Sequence, residues 1–275
     1  MEPGDSPDDA GSGSAATQAD VSASPGIRLQ GIRKSFGAVR ALQGVDFNVA
    51  PGEVVGLVGD NGAGKSTLAK IMVGALRPDE GEIVVEGSNV SFSSIRDARV
   101  HGIEMLYQDL ALCDDLDVAD NFFVGREPTR FGFIRARWMH RQTSKHLETL
   151  DIRLASTRIP IRLLSGGQRQ SVAIARTVSL APRVLILDEP TAALGVSQAA
   201  ATLRLIDRLR AGGMGVVFIS HRMNDVLAIC DRVVVLYEGR KAAELDGEGL
   251  TVEKIVNYIV TDPDRRTGES ASRGS

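Results

Sequence analysis

The stretch Gly59-Asp60-Asn61-Gly62-Ala63-Gly64-Lys65-Ser66-Thr67 constrains this chain more than any other. It fits G-x-x-x-x-G-K-[ST], a loop whose backbone amides close round a phosphate. Its surroundings are those the motif needs. Residues 54–58 form an apolar run suited to a buried strand, and residues 68–75 continue at helical spacing. Glycines let the amides converge without Cβ clashes. The helix that follows adds the positive end of its dipole. On this reading Lys65 reaches the β- and γ-phosphates, and the Ser66 hydroxyl ligates Mg²⁺.

The chain has 275 residues, enough for one large domain or two small ones. Its net charge of −3 is unevenly spread. Residues 1–26 hold Glu2, Asp5, Asp8, Asp9 and Asp20 with no Lys or Arg, so the body is slightly positive. That balance makes no general case for nucleic acid as a partner. No apolar run approaches the length of a membrane span. The first residues lack the basic and apolar regions of a signal peptide. Both observations point to the cytoplasm. Cys113 and Cys230 are too few for a disulfide framework, and the apolar run around Cys230 suggests core packing. The cysteines and four histidines show no metal-ligand spacing.

Residues 1–26 and 262–275 are polar and low in apolar content, which predicts disordered tails flanking one domain over 27–261. Strands are predicted at 27–33, 45–49, 54–58, 83–86 and 103–107. Gln108 stands at the end of the last of these, where ligands bind in open parallel sheets. Between about 109 and 164 the pattern becomes helical, with helices at 118–124 and 136–150 and no convincing strand. This reads as a helical insertion within an α/β domain. Phe122, Phe123, Phe131, Phe133 and Trp138 are expected to form a small local core, with a partner's docking surface as the sharper alternative.

Beyond the insertion, Leu164-Ser165-Gly166-Gly167-Gln168 opens a helix with free amides, a hydroxyl and a dipole to offer an anion. Residues 184–187 form an apolar strand ending in Asp188-Glu189. Asp188 suits Mg²⁺ and Glu189 suits polarising a water. A second buried strand, 215–219, runs into Ser220-His221, where the imidazole could reach a γ-phosphate. Residues 232–237 and 241–245 are read as a hairpin, and Thr251 as the cap of a last helix to about 260. With no internal repeat, one nucleotide unit is expected per chain.

The phosphate loop, Gln108, Leu-Ser-Gly-Gly-Gln, Asp188-Glu189 and His221 together resemble the motif series of ABC-transporter ATPase subunits, in order and spacing, across about residues 27–261. The resemblance implies a P-loop NTPase core of ABC ATPase type with an antiparallel β subdomain and the helical insertion. It implies ATP held by Gly59, Asn61, Gly62, Ala63, Gly64, Lys65, Ser66 and Thr67, with Phe36 stacking on adenine. Mg²⁺ would sit on Ser66, Gln108 and Asp188. Ser165, Gly166 and Gly167 would grip the γ-phosphate of a second subunit's ATP in a head-to-tail dimer, with Gln168 also among the ATP-binding residues, a homodimer being the simplest. Catalysis would fall to Glu189 as general base, with His221, Lys65 and Gln108.

The stretches 189–196, 107–113, 125–127 and 219–223 look like those of bacterial monosaccharide importers of the ribose, xylose and fructose type. Partners would then be transmembrane permease subunits and, indirectly, a solute-binding protein, with the chain peripheral on the cytoplasmic face of the membrane. Transport of another solute, or export, is the alternative. A soluble ABC protein of DNA repair or translation is the third reading, and the 100 positions between Lys65 and Ser165 leave no room for a long coiled coil. The chain departs from the common pattern at Gly195, where many members have Asp.

Overall fold

The computed structural model describes residues 26–247 and 250–260. The expected disordered tails lie outside these residues, apart from Gly26. In chain order the first elements are β1 (Ile27–Phe36), β2 (Val39–Val49), β3 (Val54–Gly59), α1 (Lys65–Met72), β4 (Glu80–Val85), β5 (Ser88–Val90), α2 (Ile95–Val100) and β6 (Ile103–Leu106). An inserted segment then gives α3 (Val118–Phe123), β7 (Thr129–Arg130), β8 (Phe133–Ile134), α4 (Ala136–Thr149) and a 3₁₀ turn at Ile161–Leu163. After it come α5 (Gly166–Val178), β9 (Val184–Asp188), α6 (Val196–Ala211), β10 (Gly215–Ile219), α7 (Met223–Ile229), β11 (Arg232–Tyr237), β12 (Arg240–Asp246) and α8 (Val252–Val260).

Two main sheets result. The larger runs β12-β11-β3-β10-β9-β6. β11, β3, β10, β9 and β6 are parallel, and β12 pairs antiparallel at the edge. The smaller runs β2-β1-β4-β5, with every pairing antiparallel. The parallel strands are buried on both faces, which is why they read as unbroken apolar runs. Val55, Leu57, Ile186, Val217 and Ile219 join the antiparallel sheet, α1 and Ala98 in one core. Their alternates Val54, Val58, Leu185, Leu187, Val216 and Phe218 face the other, with α5, α6 and α7. Fully burying one such side chain contributes about 1.5–3 kcal/mol. A one-residue register slip would exchange the two cores, so the register is tightly specified.

The insertion is tied down by polar side chains. Asn121 is fully buried. Its carbonyl accepts from the Cys113 amide, and its amide donates to the carbonyls of Cys113, Leu116 and Asp117. His140 on α4 lies 3.0 Å from Thr157 Oγ1 and 3.7 Å from Asp117 Oδ2. Cys230 is buried as expected, and burial pushes its thiol pKa up.

Two expectations need correction. The insertion is not free of strands, because β7 and β8 form a two-residue hairpin. Its turn uses positive φ at Phe131 (52°) and Gly132 (82°). The five aromatics do not form one core either. Phe122 is buried, and Phe123 packs on Trp138 with ring centroids 5.5 Å apart. Phe131 and Phe133 are 87% and 79% exposed, since the hairpin carries them off the body.

Candidate functional site

The C-terminal ends of β3, β6, β9 and β10 converge on a cavity of about 1100 Å³. This is the end at which open parallel sheets bind ligands. Gly59, Asp60, Asn61, Gly62, Gly64, Lys65, Ser66 and Thr67 line it. So do Gln108, two residues beyond β6, Asp188, Glu189 and His221. The parallel register alone brings these together, although up to 162 positions separate them in the chain.

The loop is shaped by its glycines. A Cβ on Gly59 (φ 150°) would collide with the Leu236 carbonyl, and one on Gly64 (φ 103°) would lie 2.7 Å from the Ala41 carbonyl oxygen. The amides of Gly62 and Gly64 have no acceptor among the described residues. α1 begins at Lys65 with no side-chain cap. These donors, with the start of the helix, suit an anion with several oxygens. Lys65 Nζ donates to the carbonyls of Gly59 (2.7 Å) and Asp60 (2.9 Å). Burial lowers its pKa, while Glu189, Asp60 and Asp188 pull the other way.

Opposite the lysine stand the two carboxylates. Asp188 ends β9, and desolvation raises its pKa with Glu189 adding repulsion. Glu189 takes a strained φ of 52°. Its amide donates to the Ile219 carbonyl at 2.9 Å, anchoring it to the end of β10. Its Oε1 lies 2.9 Å from His221 Nδ1. Its Oε2 is buried with no hydrogen-bond partner. An orphaned carboxylate oxygen is costly and calls for a donor such as a water. No cluster of three His, Cys, Asp or Glu side chains occurs among the described residues. The hydroxyl of Ser66, the side-chain carbonyl of Gln108 and the Asp188 carboxylate line the same cavity, and such oxygen donors fit a hard cation that keeps phosphate and water ligands.

Other expected residues lie elsewhere. Ser165, Gly166, Gly167 and Gln168 do not line this cavity. They open α5 at an exposed corner. Ser165 Oγ accepts from the Gln168 amide at 3.3 Å, and Gln168 Oε1 accepts from the Ser165 amide at 3.0 Å. Gly167 packs against Gln198 of α6, 3.0 Å from where a Cβ would stand. Phe36 is 49% exposed and outside the lining, with Lys34 Nζ 5.8 Å from its ring centroid. Ala63 is buried beneath the loop. A Cβ at Gly195 would meet nothing within 4 Å, so local space does not explain the glycine.

Several contributors escape sequence reading. Ala38, Val39, Arg40 and Ala41 wall the cavity from the antiparallel sheet, and Glu238 walls it from the β11–β12 turn. Nothing in their side-chain chemistry marks them. Arg222 Nη1 donates to the carbonyls of Thr191 (2.7 Å) and Leu194 (3.3 Å), fixing the loop after Glu189. Arg176 on α5 donates to the carbonyls of Leu110 and Ala111, both at 2.7 Å. It joins the stretch after Gln108 to the helix that begins at Ser165. Both arginines act here on backbone carbonyls, which the sequence does not mark, although Arg222 also pairs with Asp225 three residues on.

The family model described as ABC transporter matches residues 42–192. The chain is 43% identical to the xylose/arabinose import ATP-binding protein XylG of Sulfolobus acidocaldarius, over 86% of this chain and 94% of that one. It is 40% identical to the fructose import ATP-binding protein FrcA of Rhizobium meliloti, over 86% and 94% respectively. The ribose import ATP-binding protein RbsA 1 of Rubrobacter xylanophilus is 45% identical over 88% of this chain, which spans only 50% of that protein. Among solved structures, the ADP conformation of an ATP-binding cassette of an ABC transporter matches with a TM-score of 0.75 at 27% identity, covering 92% of this chain and all of that one.

Proposed function

The chain belongs to the ABC transporter family, and on that premise we propose that it is the ATP-hydrolysing subunit of a monosaccharide importer. The observation that carries the reading is the cavity. One end of the sheet gathers a phosphate loop, a lysine and a buried, partnerless Glu189 oxygen. Relatives named for xylose/arabinose and fructose import support the cargo class, since this chain covers 94% of each.

The chain's own groups divide the work. The loop amides and the start of α1 wrap the phosphates of ATP. Lys65 exchanges two carbonyl partners for phosphate oxygens. Ser66, Gln108 and Asp188 would hold Mg²⁺, and the ion would supply positive charge against the phosphates. Glu189 accepts the proton of the attacking water through Oε2, while His221 Nδ1 orients Oε1. The transition state is loose, so positioning and charge carry most of the catalysis.

Ser165, Gly166, Gly167 and Gln168 lie outside this cavity, which is compatible with the head-to-tail pairing that the family resemblance implies, in which a second cassette brings its own copy of them to each ATP. A second copy of this chain is the simplest partner. Permease subunits would supply the pathway, a reading supported by the import names of the relatives. Movement of the cassettes reaches them through Gln108 and the insertion, and a solute-binding protein delivers the sugar.

The test is uptake of labelled xylose, arabinose, ribose and fructose in cells carrying only the parent chain or only Glu189→Gln. Loss of uptake of one sugar in the variant is the expected result. Unchanged uptake of all four would overturn the monosaccharide assignment and leave the ATPase standing.

A further inference from the structure

The β7–β8 hairpin and the first turn of α4 play no part in the nucleotide cavity. Three large apolar side chains project from this corner: Phe131 at 87%, Phe133 at 79% and Ile134 at 59% exposure. Leaving two phenylalanines and an isoleucine together in water is unfavourable and marks an interaction site. The charge around them is one-sided. Residues 126–141 contain five arginines and a single acid, Glu127, in a chain whose net charge is −3. Arg126 is used internally, donating to the Phe122 carbonyl and to Ser179 Oγ. Arg130, Arg135, Arg137 and Arg141 are exposed, and none makes an ion pair among the described residues.

The geometry points to an anionic membrane surface as the occupant. The apolar groups stand on the tip of a hairpin rather than in a groove, a shape that enters a soft layer better than a rigid protein surface. Arg130 lies 5.3 Å from the Phe131 ring centroid and Arg135 5.6 Å from that of Trp138, so cations flank the aromatic faces. Behind the tip, Ile134, Arg135, Ala136, Arg137, Trp138 and Arg141 line a hollow of about 490 Å³. Three guanidiniums beside an indole suit a lipid phosphate at headgroup depth, where tryptophan and arginine both sit favourably. Phe131 and Phe133 then reach the acyl boundary while the arginines stay with the phosphates. The chain would thus hold the bilayer by a contact of its own, beside the one made through a permease. This inference draws on the importer reading only for the nearness of a membrane.

The experiment uses the full chain without permease, mixed with vesicles of phosphatidylcholine alone or with phosphatidylglycerol added. Sedimentation gives the bound fraction. Trp138, the chain's one tryptophan, reports contact through its emission. The parent should bind the anionic vesicles, with a blue shift and with affinity falling as salt rises. It should leave neutral vesicles largely unbound. Arg135→Ala/Arg137→Ala/Arg141→Ala should weaken binding on the order of a hundredfold. Phe131→Ser/Phe133→Ser should weaken it roughly tenfold. ATP hydrolysis in solution should stay at the parent rate in both, which also shows that both fold. The proposal is overturned if the parent ignores anionic vesicles or binds both kinds equally, or if both variants bind like the parent. None of these outcomes bears on sugar uptake, so the two readings fail separately.

Discussion

Glu189→Gln should lower the rate of ATP hydrolysis by about 10²–10⁴-fold while leaving nucleotide affinity near the parent value. The substitution keeps the side chain's size and its oxygen beside His221 Nδ1, 2.9 Å away in the parent. It removes the one group in the cavity that can take a proton from water through a buried, partnerless oxygen. Burial is the main cause of the raised Asp188 pKa and the Glu189 charge adds to it, so removing that carboxylate relieves the lesser, repulsive part. Binding of a polyanion should therefore not suffer. Phosphate release under saturating ATP gives the rate, and titration with a fluorescent ATP analogue gives the affinity. A parent-like rate would remove Glu189 from the role of base.

Lys65→Ala should act on the other quantity and weaken ATP binding on the order of a hundredfold or more. A hydrogen bond to a charged group contributes about 1.5–3 kcal/mol, and the ammonium can reach two phosphates. The loss is tempered because Lys65 already has two carbonyl partners, Gly59 and Asp60, which it gives up on binding. It is deepened because Asp188 and Glu189 would then face the phosphates without the cation that offsets them. The same titration reads this variant. ATP affinity unchanged from the parent would contradict the proposed path of the phosphates past Lys65.

The parallel sheet was legible because its strands are buried on both faces and leave unbroken apolar runs, such as residues 184–187 and 215–219. The residues of the nucleotide cavity stood out where they follow such a run, as Gln108, Asp188 and Glu189 do, or belong to a glycine-rich loop, as Lys65 and Ser66 do. The hairpin at 129–134 was not legible. Two-residue strands carry no period, and its turn strains a phenylalanine rather than announcing itself by asparagine-glycine. The exposure of Phe131 and Phe133 was invisible for the same reason, since a sequence marks them as apolar without saying which way the turn carries them. α7 was missed because seven residues give less than two full periods of helical pattern. Arg176 and Arg222 were missed because they bind carbonyls, and every residue has one. The walls contributed by Ala38–Ala41 come from a different sheet and depend on how the two sheets pack.

Since Ser165, Gly166 and Gly167 lie outside the nucleotide cavity, we propose that one chain is half of a working unit. The most direct test is the mass in solution of full-length Glu189→Gln, measured by light scattering with Mg²⁺ and either ATP or ADP. The account predicts twice the single-chain mass in ATP and the single-chain mass in ADP. A single-chain mass in saturating ATP, with ATP shown to be bound, would contradict it.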